Sequence, residues 1–287
     1  MRLFLFLVGL TILFSQCSTL SLSQRESGKG FVDAQYECVW IIKYVNDTIL
    51  MTQGTEDRFI LKIGDDLSYG YSYLYYYTDS LFHAQGGLLI YVNYIRESLR
   101  NGTMSNNYSS GLMRAQLYKN NKKKIINVLD NISTNWFIYE EELLPQNWEI
   151  LDSTKIISNL QCQKAICDYR GRNFEAWFTS EIPISEGPWK FCGLPGLIIS
   201  LNDTKRHYEF ELTEFKKINE KVNIQVLSTL KITPTSKIKL TKTERKKFLA
   251  MKFGNHGDML VSADMAKVGL NHEPVVKYYD YIELDYK

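Results

Sequence analysis

The sequence predicts a mainly β protein of the β-rich α+β type. Its expected architecture is one curved antiparallel sheet, open or half closed like a barrel, with one or two short helices. Tyrosine, phenylalanine and β-branched residues are abundant, they recur in runs of four to eight, and clusters of Gly, Asn, Asp and Ser separate the runs. A β-sandwich would bury the same face against a second sheet and stays the alternative.

Five runs in the first half of the chain fit this pattern, and we expect strands at residues 36–45, 58–63, 111–118, 124–129 and 135–142. The basic run Lys122, Lys123 and Lys124 follows two asparagines and is typical of a solvated hairpin turn. Nucleic-acid binding would require a basic patch on a recognisable fold, and the net charge of +2 is spread along the chain. The sequence therefore does not predict a nucleic-acid partner.

The second half of the chain contains the clearest hairpin signals. Residues 161–169 and 174–179 flank a turn at 170–173, where glycine and asparagine permit positive φ. Residues 197–201 and 206–212 flank a second turn at 202–205. In the last arm Tyr208, Phe210 and Leu212 alternate with polar residues, which predicts one buried face and places His207 on the solvated face.

Helices are expected to be few. Thr241 and Thr243 precede Glu244, and Gly254 follows, so a short helix is predicted over residues 244–251. A second helix is predicted over residues 88–99. The sequence shows neither an internal repeat nor a low-complexity linker, which favours one β-rich domain over residues 24–287.

The first residues resemble a secretory signal. A positive start at Arg2 is followed by an apolar run at residues 3–14 and then by small residues. The run is shorter than the roughly 20 residues that a membrane-spanning helix needs. We therefore expect a signal peptide at residues 1–23, with cleavage before Gln24 and a mature chain in the periplasm or at the outer membrane. A buried N-terminal element is the alternative, and lipidation at Cys17 is disfavoured because Gln16 replaces the small residue of a lipobox.

The cysteines beyond the predicted signal number four, an even count that in an exported chain allows two disulfides in three connectivities. Zinc is the rival interpretation. It is disfavoured because two of the cysteines share a predicted strand at opposite parity and so point to opposite faces. We predict disulfides, no metal and no cofactor. The four residues are Cys38, Cys162, Cys167 and Cys192.

Residues that could perform catalysis form no recognisable motif. The sequence contains neither an HExxH nor a GxSxG pattern. Cys192 is conceivable as a nucleophile, and three acidic residues near it could supply a carboxylate pair. We predict no catalytic residues and keep a secreted hydrolase or redox enzyme as the alternative. The histidines are His83, His207, His256 and His272, and the acidic residues are Glu175, Glu181 and Glu186.

Residues 169–203 combine three of the six prolines with large aromatic side chains. Proline cannot donate to a ladder, so this stretch should leave the sheet as an edge or a loop. It either seals the core as a plug or forms the rim of a cleft that binds a partner. The family-motif residues, which are also the candidate binding rim, are Trp177, Phe178, Pro183, Pro188, Trp189, Phe191, Gly193, Leu194, Pro195 and Gly196.

Four ordered blocks in this stretch, AWFT, EIPI, GPWKF and GLPGLI at residues 176–179, 181–184, 187–191 and 193–198, resemble the GLPGLI family of secreted Bacteroidetes proteins. The tail at residues 279–284 departs from the family pattern, because Asp-Tyr replaces Asn-Pro. The resemblance implies an exported protein of the Gram-negative envelope and brings no established catalytic residues. We therefore expect a non-catalytic binding or interaction protein that uses a sheet concavity, with an unknown envelope protein or an apolar ligand as its partner.

Overall fold

A single sheet contains all the strands of the computed structural model, which describes residues 31–48, 51–53, 56–77, 84–87, 89, 90, 93, 97, 114–132, 135–223, 240–253 and 281–286. Its elements are β1 (Phe31–Asp47), β2 (Thr52–Gln53), β3 (Asp57–Gly64), β4 (Leu67–Ser72), β5 (Gln116–Asn120), β6 (Ile125–Ile132), β7 (Asn135–Glu142), β8 (Glu149–Ile157), β9 (Leu160–Tyr169), β10 (Arg172–Thr179), β11 (Leu197–Asp203), β12 (Tyr208–Asn223), β13 (Leu240–Lys242) and α1 (Arg245–Phe253).

The strand order is β13-β7-β6-β5-β4-β3-β1-β12-β11-β10-β9-β8, with β2 paired to β1. β3 to β7 and β8 to β12 form two runs of consecutive antiparallel hairpins, whereas β13 joins β7 in parallel. This mainly β, single-sheet architecture confirms the predicted fold class, and the alternative of two packed sheets was wrong. None of the described helices is long and apolar enough to cross a membrane.

The segment between β10 and β11, residues 180–196, is named the motif loop here, and its contacts show how the sheet curves. Trp189 packs edge-on against Phe59 of β3, with ring centroids 6.5 Å apart. Phe191 packs against Phe174 of β10 at 4.6 Å. Because β1, β12 and β11 separate β3 from β10 in the sheet, both strands can contact one short loop only if the sheet bends around it. The motif loop therefore lies inside an open, curved sheet.

Most predicted strands are confirmed. β7 has the predicted bounds, and β1, β3, β9, β10 and β11 extend the predicted runs by a few residues. β6 is shifted to Ile125–Ile132, β12 begins at Tyr208 and continues to Asn223, well past the predicted end at residue 212, and β5 begins only at Gln116. The turn between β9 and β10 consists of Arg170 and Gly171, both with positive φ (52° and 82°), as a tight two-residue hairpin requires. The lysine-rich turn after β5 is also confirmed.

Two substantial strands were missed. β4 contains Gly70, and a Cβ at this position would lie 2.6 Å from Cζ of Phe59 on the neighbouring strand. Glycine is therefore required in β4 because the Phe59 ring occupies the space of a side chain. β8 lacks the alternation that identifies a half-buried strand, because nearly all its residues are exposed.

The predicted helix near residue 244 is confirmed as α1, which begins at Arg245 and buries Phe248 and Leu249. Most of residues 88–99 lie outside the described part of the chain, so the second helix stays a prediction. The signal peptide, its cleavage before Gln24 and the lipobox cysteine Cys17 also lie outside the described residues. Every described residue from Val32 onward belongs to one compact unit.

The predicted disulfides are absent from the structure, because Cys38, Cys162, Cys167 and Cys192 are all free and buried. Three strands separate Cys38 on β1 from the cysteines on β9, a distance of roughly 19 Å at about 4.8 Å per strand. Cys162 and Cys167 lie on β9 roughly 16 Å apart along the strand. A disulfide requires Cα atoms within about 7 Å, so neither arrangement can form one.

Candidate functional site

The structure places most of the predicted rim residues inside the molecule. Trp189, Phe191 and Leu194 are fully buried in the core, as are Pro188 and Gly196 in the motif loop. Phe178 is buried on β10, and Trp177 is half buried on the other face of that strand. The exposed motif residues are Pro183, Gly193 and Pro195.

A cluster of paired charges surrounds Lys190 at the inner end of the motif loop. The Lys190 ammonium lies 2.7 Å from Glu283 of the C-terminal tail and also forms an ion pair with Glu141 of β7. Arg245 of α1 binds the second oxygen of Glu283 at 2.7 Å. Trp189 donates its indole hydrogen to Glu283 at 3.1 Å. These contacts link the tail, the helix, the sheet and the motif loop at one buried carboxylate.

The charges in this ion cluster balance, because Arg170 and Asp285 complete a set of three cations and three anions. Burial alone would raise the pKa of Glu283, but Lys190, Arg245 and Arg170 outweigh it and hold that pKa below its ordinary value. Burial likewise opposes the lowering of the Asp285 pKa, which hydrogen bonds from Arg245 and Arg170 produce. The carboxyl groups of Glu283 and Asp285 therefore stay ionised at neutral pH.

A cavity of about 350 Å³ lies at the outer end of the motif loop and is named the loop cavity. Its walls come from β1, the end of β3, the turn after β5, the segment after β7 and the motif loop itself. The lining residues are Gln35, Tyr36, Ile63, Gly64, Asp65, Asn121, Lys124, Leu143, Pro145, Pro183, Ile184, Ser185, Glu186, Cys192 and Gly193.

Glu186 anchors the motif loop to the sheet at this cavity. Its carboxylate accepts hydrogen bonds from the Lys119 ammonium at 2.8 Å and from the Ser68 hydroxyl at 2.9 Å, with the Asn121 amide at 3.4 Å. Lys119 and Ser68 belong to the adjacent strands β5 and β4 and are buried. Glu186 also forms an isolated antiparallel bridge with Cys192, which folds the motif loop into a narrow hairpin.

Cys192 lies between this anchor and the segment that follows β7. Its backbone amide donates to Gln146 at 2.8 Å, and its carbonyl accepts from the Trp148 indole at 2.9 Å. Next to it, Gly193 has φ +99°, and a Cβ there would lie 2.5 Å from Cβ of Pro145. Burial raises the pKa of the Cys192 thiol, so at neutral pH the sulfur is protonated and a poor nucleophile.

A second cavity, of about 450 Å³, shares Pro145 with the loop cavity and lies beside the ion cluster. Arg170 and Lys190 contribute to its wall, together with Glu142 and Asp168. The cations in this wall are already paired with carboxylates of the ion cluster. The second cavity is therefore less available for binding a charged ligand than the loop cavity.

The carboxylates considered from sequence have separate partners. Glu175 pairs with Lys164 at 3.1 Å, and Glu181 accepts a hydrogen bond from the backbone of Gln161 at 2.7 Å. Glu186 alone of the three lines the loop cavity. The described residues contain no group of three or more His, Cys, Asp or Glu side chains arranged to hold a metal.

The prediction that His207 lies on a solvated face was wrong. His207 is buried, and its Nδ1 lies 3.4 Å from the guanidinium of Arg172. It precedes β12 at the turn, where its carbonyl accepts a hydrogen bond from Val45 of β1. The alternation therefore begins at Tyr208. The other histidines, His83, His256 and His272, lie outside the described residues.

Sequence reasoning missed Lys119 and Ser68 as residues of the site. Lys119 follows Tyr118 in a strand of five residues next to a lysine-rich turn, where a lysine is ordinarily solvated. Its acceptor, Glu186, lies far along the chain, so no local pattern could identify the pair. The only available signal was an acidic residue within a rigid, aromatic segment.

The comparisons with known proteins extend the description of the motif region. The family described as "Protein of unknown function (Porph_ging)", which is found in Bacteroidetes, matches residues 168–200, from the end of β9 to β11. The match includes the motif loop but covers only a small part of the whole chain. No curated protein sequence matches the chain.

Among solved structures, two crystal forms of PNGF-II resemble this chain. One has 14% sequence identity and a TM-score of 0.47, and the match covers 76% of this chain and 32% of PNGF-II. The other has 13% identity and a TM-score of 0.46, and covers 76% and 33%. The chain therefore spans about a third of the length of these structures.

Proposed function

We propose that this chain is an exported, non-catalytic binding protein of the cell envelope whose ligand occupies the loop cavity. The observation that carries the proposal is the position of Glu186. It fixes the exposed part of the motif loop over a cavity while Lys119 and Ser68 hold it from the sheet side. A volume of about 350 Å³ lies within the range of small-molecule sites. The secretory character of residues 1–23 supports the location.

The reactive groups at the cavity favour binding over chemistry. Both oxygens of Glu186 accept hydrogen bonds from protein donors, so this carboxylate is engaged as a structural anchor. The thiol of Cys192 is kept protonated by burial, as the raised pKa indicates. Nucleophilic catalysis would require a thiolate or an adjacent free base. The Glu186 carboxylate and the Cys192 thiol therefore serve as parts of the wall of the loop cavity.

The chemistry of the wall suggests an amphiphilic ligand. Ile63, Leu143 and Ile184 offer apolar surface, whereas Asp65 and Lys124 place opposite charges at the exposed side. Such a wall fits a ligand with an apolar body and a polar, hydrogen-bonding end. This narrows the apolar ligand expected from sequence to one that also carries polar groups.

A tryptophan that fills the cavity tests the proposal. Gln35 lines the cavity, and its side-chain amide donates to the exposed Asp65 at 2.7 Å, so Gln35→Trp should occupy the site without disturbing the core. Native mass spectrometry of protein purified from the envelope should show a copurified small molecule, reduced about tenfold in Gln35→Trp. Lys43→Trp is the matched control, since Lys43 is exposed on the same strand and outside the cavity.

The alternative outcomes are clear. Protein that is free of ligand in every preparation, with the wild type and both variants indistinguishable, would refute a ligand in this cavity. A thiol reagent gives an independent measurement, because Cys192 lines the cavity whereas Cys38 is fully buried. An extract that contains the ligand should slow labelling of Cys192, and unchanged labelling would count against binding at this position.

A further inference from the structure

Strand β8 forms one end of the sheet among the described strands and is exposed along most of its length. It pairs with β9 alone in the described part of the chain. Two of its isoleucines are unusually exposed for large apolar residues, Ile150 at 45% and Ile156 at 72%. An edge strand with apolar side chains and free backbone groups is a template for pairing with another strand.

The devices that usually protect such an edge are weak here. The strand contains no proline, and its lysine, Lys155, lies over the Trp177 ring at 4.1 Å from the centroid. That contact holds the ammonium against the sheet rather than beyond its edge. A two-residue turn with positive φ at Ser158 (50°) and Asn159 (64°) keeps β8 firmly on β9.

We propose that two copies of this chain associate through β8, antiparallel, with a two-fold axis at Ser153. This register sets Ile150 of each copy directly opposite Ile156 of the other. Both isoleucines lie on the same face, because they pair with Ala165 and Gln161 of β9, which share one parity. The interface would therefore bring four exposed isoleucine side chains together.

The charged side chains on the other face of β8 are also complementary when the two copies pair in this register. Glu149 and Lys155 pair with Ile166 and Cys162 of β9 and so share the opposite face. In the two-fold arrangement Glu149 of one copy lies diagonal to Lys155 of the other, and the Lys155 ammonium would turn from the Trp177 ring toward that carboxylate. The apolar face and the charged face are thus complementary in one register.

A two-fold axis at either residue next to Ser153 would be less favourable. An axis at Asp152 would place two carboxylates directly opposite each other, which is unfavourable. An axis at Thr154 would place Ile156 opposite Asp152. The pairing with β9 shifts register between Ile150 and Thr154, so the proposed axis lies at this irregularity and the two regular ends of β8 carry the pairing with the other copy.

Sedimentation equilibrium of the purified chain tests the association. We expect a concentration-dependent dimer, and Ile156→Lys should raise its dissociation constant about tenfold or more, because a two-fold interface contains each substitution twice. Leu144→Lys is the matched control, since Leu144 is 60% exposed but lies outside β8. A chain that stays monomeric up to about 0.1 mM, or equal loss of dimer in both variants, would overturn the proposal.

A cysteine scan tests the register in a background with Cys17→Ser. Ser153→Cys lies on the axis and should form an intermolecular disulfide on mild oxidation, because opposite Cα atoms in a ladder lie within disulfide range. Asp152→Cys faces Thr154 of the other copy and should form one only when mixed with Thr154→Cys. Failure of Ser153→Cys to cross-link, including the case in which β8 captures an unrelated extended peptide, would contradict the two-fold pairing.

Discussion

The motif loop carries two buried pairs of glutamate and lysine, and their surroundings differ. Lys190 and Glu283 lie 2.7 Å apart inside the curved sheet, where Arg245, Trp189 and Glu141 complete their contacts. Glu186 and Lys119 lie 2.8 Å apart, and Glu186 also lines a cavity of about 350 Å³. Both pairs are removed from bulk water, but the Lys190 ammonium beside the second cavity is already held by two carboxylates, whereas Glu186 lines the loop cavity with a single cation as its partner.

The difference separates a structural use of buried charge from a functional one. A sealed ion cluster fixes the positions of distant chain segments, since each partner would leave an uncompensated charge if it moved. Besides Lys119, the donors to Glu186 are the Ser68 hydroxyl and the Asn121 amide. These contacts hold the motif loop to the sheet and leave open the side of the loop that lines the loop cavity. One loop therefore contributes to the core at residues 188–191 and to the cavity at residues 183–186.

Replacing Lys190, which pairs with Glu283 in the ion cluster, should reduce the stability of the fold the most. Lys190→Met removes the buried ammonium that Glu283 and Glu141 share and leaves the cluster with three anions and two cations, and we expect the free energy of unfolding to fall by about 3–5 kcal/mol. Urea denaturation measures this change. Lys164→Met is the control, because its pair with Glu175 is partly exposed and should contribute less than about 1 kcal/mol. Similar losses in both variants would show that the cluster is not a structural lock.

Replacing Lys119, beside the loop cavity, should reduce stability less than replacing Lys190. In Lys119→Met the Glu186 carboxylate keeps its hydrogen bonds from Ser68 and Asn121, and water in the cavity can solvate it. We expect a loss of about 2 kcal/mol in the same urea experiment. A loss equal to that of Lys190→Met would remove the distinction between the two pairs.

Closing the cavity with an added side chain at Gly193 should reduce stability by no more than the loss of Lys119 does. Gly193→Ala adds a Cβ 2.5 Å from Pro145 at φ +99°, so strain and contact together should cost about 2 kcal/mol. Gly86→Ala separates the two causes, since Gly86 has φ +75° and none of the described residues lies within 4 Å of its added Cβ, and should cost about 1 kcal/mol. Equal costs would indicate that Pro145 moves aside. Thermal unfolding of the two variants measures the difference.

The sequence predicted strands where buried apolar residues are frequent, and it failed where they are few or where glycine interrupts them. β7 was predicted with its bounds, whereas β8 is exposed on both faces and β4 contains the glycine that admits Phe59. The expected loop at Pro183, Pro188 and Pro195 is confirmed, since proline excludes a central strand.

The partners of the motif loop could not be predicted in the same way. Lys190 and Glu283 are contributed by a loop and a tail that lie far apart in sequence, and no local period records a contact of this kind. The even number of cysteines suggested disulfides, but a count does not record how many strands lie between two residues in the sheet. Contacts across the inside of a curved sheet depend on strand order, which is a property of the whole fold.

Acid should weaken the sealed cluster gradually. The folded pKa of Glu283 lies below its ordinary value near 4.5, so the unfolded chain binds more protons than the folded chain between the two values. The stabilisation is complete above the ordinary value and is lost as the pH falls through the folded pKa. The free energy of unfolding, measured by urea denaturation between about pH 5 and pH 2, should fall with a slope of at most about 1.4 kcal/mol per pH unit for this carboxyl group. Glu283→Gln should flatten that slope while Glu175→Gln leaves it unchanged, and an unaltered slope in Glu283→Gln would show that the acid sensitivity arises outside the sealed pair.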